Sequence, residues 1–179
     1  MALRTLSDYR VLVVPGLHDS GPEHWQTRWQ RLYPAFERVR QDHWDRPDLP
    51  RWSARLDQVR AADARPTLLV AHSFGCLTSA HSLADHAHGV AGVLFVAPAD
   101  PEKFHVVDAL PHDHLPCPSI MIASDTDPWM SASSAALWAK RWGSSFINGG
   151  DLGHINSESR LGDWLFGQSQ LQALVGLAL

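Results

Sequence analysis

The chain has 179 residues, 45 % of them hydrophobic, which suffices for one compact domain with a buried core, expected over 1–179. Its formal charge of −4 at pH 7 leaves no basic excess, so the expectation excludes nucleic acid and membrane surfaces as partners and favours small neutral molecules. Cys76 in a helical stretch and Cys117 between two prolines make neither a disulfide framework nor a zinc spacing.

The opening "MALRTLSDYR" lacks the apolar run of a signal peptide, and the stretch from Gly89 to Ala99 is too short to cross a bilayer. A cytoplasmic location is the expectation. "RVLVVPG" (10–16) reads as the first strand. After it, Ser20 and Glu23 have capping-box spacing, Trp25, Trp29 and Leu32 recur on one helical face, and Pro34 ends the run, which predicts a helix with an aromatic stripe. "FERVRQ" (36–41) is a weaker strand, followed by a helix near 51–63. "TLLVAHS" (67–73) is a strand and 74–86 a helix; "VAGVLFVAP" (90–98) is the next strand. The stretch from Pro98 to Pro118 is too short for a cap domain, and "HVVDALPHDHLP" within it predicts a short helix and a loop over the ligand site. "SIMIAS" (119–124), a helix near 131–142, the weak strand "SSFING" (144–149) and a helix near 159–175 complete the chain.

Runs that are apolar at consecutive positions belong to strands buried on both faces. Alternating with helices, they predict an α/β fold with about six mainly parallel strands and helices on both faces. Trp25, Trp29, Trp52 and Trp138 lie at helical spacing among apolar residues and are expected in the core.

The segment A-H-S-F-G (71–75) sits where a strand ends and a helix begins. It departs from the nucleophile-elbow pattern G-x-S-x-G at its first position, where Ala71 replaces glycine. The elbow needs small residues because its serine is held in a strained conformation with strand and helix packed closely around it. Taken alone, Ser73 reads equally well as a helix N-cap. A serine hydroxyl becomes a nucleophile only when a base removes its proton and a third group orients that base. On a parallel sheet both come from loops after later strands, in the order Ser, Asp or Glu, His. "SDTDPW" supplies Asp125 and Asp127. Asp127 is preferred because Pro128 rigidifies its turn, while Asp125, nearer the strand end, is placed to cap that turn. "NGGDLGHINSES" supplies His154, with Gly149, Gly150 and Gly153 permitting a tight backbone path.

Acyl transfer also needs donors for an oxyanion. The N–H of Phe74 is one candidate and that of Leu17, in "PGLHDSG", the other; Gly16 makes the bend and His18 stands at the mouth. Trp44 and Trp129 lie in loops beside these motifs and, with Gly16 and His18, are the candidate substrate-binding residues. No cofactor and no metal is expected, because His112-Asp113-His114 and His86-Ala87-His88 lack a third ligand in register.

Together, "VLVVPGLHDSGPEHWQTRW", "QDHWDRPDLPRW", "AHSFGC" and "SDTDPWMS…GDLGHINSESRLGDW" resemble the small α/β-hydrolase family of YdeN and retinoblastoma-binding protein 9, over most of the chain. The resemblance implies a single-domain α/β-hydrolase fold without a large lid and a catalytic triad of Ser73, Asp127 and His154. The residues of this constellation predict a carboxylesterase-like serine hydrolase that takes a small-molecule acyl substrate (ester, thioester or amide) through an acyl-enzyme. Protein interaction has also been proposed within that family, so the alternative is an interaction module with a protein partner and little turnover. A Trp-rich surface would favour it.

Overall fold

The computed structural model describes residues 4–85 and 87–178; His86, one of the histidine doublets noted above, lies outside the described residues. Six strands, β1 (Arg10–Val14), β2 (Glu37–Arg38), β3 (Thr67–Ser73), β4 (Val90–Pro98), β5 (Ser119–Ala123) and β6 (Ser145–Asn148), form one sheet in the order β2-β1-β3-β4-β5-β6. Every neighbouring pair is parallel, because the connections cross over through α1 (Trp25–Leu32), α2 (Leu49–Ala61), α3 (Phe74–Asp85) and α4 (Ala132–Trp142), with α5 (Leu165–Leu177) after the last strand. The β4–β5 connection holds only the 3-10 turn Val107–Ala109.

Alternate strand residues feed two cores. Leu12, Val14, Leu69, Ala71, Phe95 and Met121 pack with α2, α3 and α4 on one face; Val11, Val13, Leu68, Val70, Leu94 and Ile122 pack with α1 and α5 on the other. Burial on both faces explains why these strands read as continuous apolar runs. The edge strand β2 is polar and only two residues long, fixed to β1 by the fork of Arg10 on Glu37, with both nitrogen–oxygen distances 2.8 Å.

Three expectations are corrected. The first helix starts at Trp25 with His24 as its N-cap, because Ser20 Oγ donates to Gln26 Oε1 at 2.6 Å and Glu23 pairs with Arg28, so neither is available for a capping box. The last helix starts at Leu165 rather than near 159, since Arg160, Gly162 and Trp164 all have positive φ, which a right-handed helix cannot contain. Residues 111–115 do not cover the ligand end of the sheet: they lie against α4, where Trp142 Nε1 donates to the Pro111 carbonyl and Leu115 N–H to that of Trp142.

Candidate active site

β3 ends on Ser73, which takes φ +54°, a left-handed conformation costly for any residue with a Cβ. Two features hold it there. The β3–β4 register slips between His72 and Ser73, and the Ser73 carbonyl accepts the Ala99 N–H at 3.1 Å. α3 then departs at once, and a Cβ on Gly75 would run into the Val14 and Pro15 carbonyls. The second glycine of the elbow is therefore compulsory. The first is not, because the Ala71 methyl is fully buried in the core cluster, which is why alanine fits there.

The loops after β5 and β6 bring two side chains to this serine. Ser73 Oγ and His154 Nε2 are 3.0 Å apart, and His154 Nδ1 lies 3.0 and 2.9 Å from the two Asp127 carboxylate oxygens. A carboxylate only accepts, so Nδ1 carries the proton and Nε2 is left to accept from the Ser73 hydroxyl. The Asp127 side chain is only 2 % exposed and also receives the Trp129 N–H at 2.9 Å, which locks its rotamer. Asp125 stays exposed and accepts from Asn148 Nδ2 at 2.7 Å, tying the two loops together at a distance from His154.

Behind His154 lie two more buried imidazoles. The rings of His72 and His154 are 4.9 Å apart, and His24 meets His72 edge-on at 4.6 Å. Burial, then the neighbouring His24 and His154, hold His72 well below the ordinary histidine range. His24 is pushed down to about 3 by burial first, then by Arg38 and His154. Both are neutral at physiological pH. His24 Nδ1 accepts the Gln26 N–H at 3.1 Å.

The β1–α1 loop passes directly beside the serine. A Cβ on Gly16 would stand 2.8 Å from Ser73 Cβ and 3.2 Å from the Phe74 nitrogen, so glycine is required for the approach. The loop is anchored by the His18 N–H on the Trp44 carbonyl at 2.8 Å and by buried Gln26, whose Nε2 donates to Val70 O at 3.0 Å. Phe74 opens α3, and its N–H belongs to the first-turn donors that have no partner within the helix. Leu17, His18, Ser73, Trp129, His154 and Asn156 line one cavity of about 460 Å³. Its remaining wall comes from Ala99, Asp100, Lys103 and Phe104, just after β4, in a segment whose sequence carries no motif. Trp44 does not line this cavity: it packs edge-on against Trp52 at 5.6 Å, so its part is to support the loop.

A family model described as Serine hydrolase matches residues 11–173. The fold is similar to that of a YdeN-like hydrolase from Pectobacterium atrosepticum, with 36% sequence identity, coverage of 97% of this chain and 94% of that one, and a TM-score of 0.93. The ydeN gene product of B. subtilis is 18% identical, covering 94% and 99% of the two chains at a TM-score of 0.76. The esterase RhEst1 from Rhodococcus sp. is 14% identical, covering 96% and 92% at a TM-score of 0.69. At these lower identities the likeness is one of fold. No curated protein matches the chain.

Proposed function

The chain belongs to the serine hydrolase family and has the α/β-hydrolase fold, and from that premise we propose that it cleaves a small ester, thioester or amide through an acyl-enzyme on Ser73. The observation that carries this reading is the position of His154, whose Nε2 lies 3.0 Å from Ser73 Oγ while its Nδ1 meets both Asp127 oxygens. As Oγ attacks the carbonyl carbon, its proton passes to Nε2, and Asp127 stabilises the imidazolium that forms. The carbonyl oxygen becomes an oxyanion, for which the Leu17 and Phe74 N–H groups are the available donors. Collapse of the tetrahedral intermediate breaks the bond to the leaving group, which takes the proton back from Nε2. Water then repeats the sequence on the acyl-enzyme, releasing the acid and restoring Ser73.

The cavity of about 460 Å³, with Leu17, Ala99, Phe104 and Trp129 among its walls, suits a short or aromatic acyl group. A Trp-rich surface would favour the interaction-module reading. Trp25, Trp29, Trp52, Trp142 and Trp164 are instead buried, and the exposed Trp129 lines the cavity. Labelling with a fluorophosphonate, compared between the native chain and Ser73→Ala and followed by a panel of short-chain esters, tests the proposal. It expects labelling of the native chain alone. A native chain that stays unlabelled, or a Ser73→Ala chain labelled equally well, overturns it.

A further inference from the structure

Two buried ring N–H groups that the proposed chemistry does not use end on consecutive carbonyls of the His154 loop. Trp25 Nε1 donates to the Ile155 carbonyl at 2.8 Å, and His72 Nε2 lies 2.9 Å from the His154 carbonyl. A carbonyl only accepts, so His72 Nε2 carries its proton. Trp25 is 1 % exposed and His72 5 %, which shields both donors from water.

The loop they hold is conformationally expensive. Gly153 and Ile155, on either side of His154, have φ +57° and +48°, and a β-branched residue in the left-handed region persists only where its surroundings over-determine it. Here the Ile155 side chain is fully buried in the same core cluster as Trp25, Trp29 and Trp164. His24 packs edge-on against His72 and fixes the orientation of its ring.

We propose that His72 and Trp25 are positioning residues, whose ring N–H groups hold the His154 and Ile155 carbonyls and thereby set the reach of the imidazole to Ser73. The arrangement measures the base from the strand that carries the nucleophile, because His72 directly precedes Ser73. The aromatic stripe of α1 thus has a second duty beyond filling the core. Displacing a reacting group by about 1 Å costs on the order of a hundredfold in rate, so loss of either donor is felt in the chemical step.

This inference rests on the reading of Ser73 as nucleophile, and its test separates the two. Trp25→Phe keeps an aromatic ring and removes the N–H; His72→Met removes the donor, and His72→Gln restores one at similar reach. With the full chain, the fluorophosphonate labelling rate and kcat for a short-chain ester are expected to fall roughly tenfold to a hundredfold in Trp25→Phe and His72→Met, with KM within about twofold of the native value. His72→Gln is expected to recover most of the loss. Equal rates for His72→Met and His72→Gln, or a fully active Trp25→Phe, overturn the inference while leaving the nucleophile in place. A native chain that is not labelled overturns both. Should His72→Met fail to fold, nitrogen NMR of the native chain decides: His72, facing the His154 carbonyl, is expected as the Nε2–H tautomer at pH 7. An Nδ1–H tautomer overturns the inference.

Discussion

Asp125 and Asp127 stand two residues apart in one loop, and their surroundings separate them. Asp127 is buried against His154 and Asp125 is exposed on Asn148. Asp127→Asn is expected to leave the fold intact and lower kcat by about a thousandfold or more, since an amide cannot hold the Nδ1–H tautomer that the base requires. Asp125→Asn is expected to cost up to about 1 kcal/mol of stability and little rate, because the exposed Asn148 N–H then meets a neutral amide oxygen in place of a carboxylate, a weaker acceptor. Steady-state kinetics paired with urea unfolding distinguishes them, and a reversed pattern would transfer the acid's role to Asp125. A similar distinction holds at Gly16. The added methyl of Gly16→Ala meets Ser73 Cβ at 2.8 Å and lies 3.2 Å from the Phe74 nitrogen. The substitution is therefore expected to displace Ser73, the proposed nucleophile, and one candidate oxyanion donor together, giving a large fall in kcat. An unchanged labelling rate in Gly16→Ala would show that the loop yields and that Ser73 is held by the β3–α3 junction alone.

Among the elements, β3 and β4 were legible residue for residue, at 67–73 and 90–98, because strands buried on both faces carry runs of consecutive apolar residues, here 68–71 and 93–97. The start of α1 was not, since Ser20 could satisfy a capping box or Gln26, and only the tertiary path of the β1–α1 loop decides between them. The site was legible to the extent that motifs mark it. Ser73 ends a strand in a recognisable strand-to-helix junction, Asp127 and His154 follow strands in recognisable loops, and the three meet at hydrogen-bonding distance. The wall formed by Ala99, Asp100, Lys103 and Phe104 has no such marker, because its place depends on how the β4–β5 connection turns. The same packing ranks the two small residues of the elbow. Gly75→Ala drives a methyl into the β1 carbonyl of Val14 and is expected to cost about 3 kcal/mol. Ala71→Gly restores the consensus glycine, yet it removes a buried methyl and is expected to cost about 1 kcal/mol. Urea midpoints for the two variants check the order, and equal losses would mean that α3 can slide along β1.

For the molecule as a whole, the buried imidazoles behind His154 set a limit on the acid side. His24 has a folded pKa of about 3 against an ordinary value of 6.5, and burial holds His72 well below 6.5 as well. The unfolded chain therefore takes up protons at these positions first as the pH falls. Stability is complete above about pH 6.5 and is lost progressively as the pH drops toward 3, by at most about 1.4 kcal/mol per pH unit for each histidine. Loss of activity in acid should accordingly include unfolding of the chain. His24→Asn isolates one contribution, because asparagine retains an acceptor suited to the α1 N-cap and does not titrate. Whatever the packing change costs at neutral pH, the stability difference between pH 7 and pH 5 is expected to shrink by about 1–2 kcal/mol in this variant, with the remainder belonging to His72 and the other titrating groups. Urea unfolding at the two pH values measures it. An acid slope as steep in His24→Asn as in the native chain would mean that His24 finds a proton-stabilising partner in the folded state, and that the neutral imidazole pair behind the base does not exist.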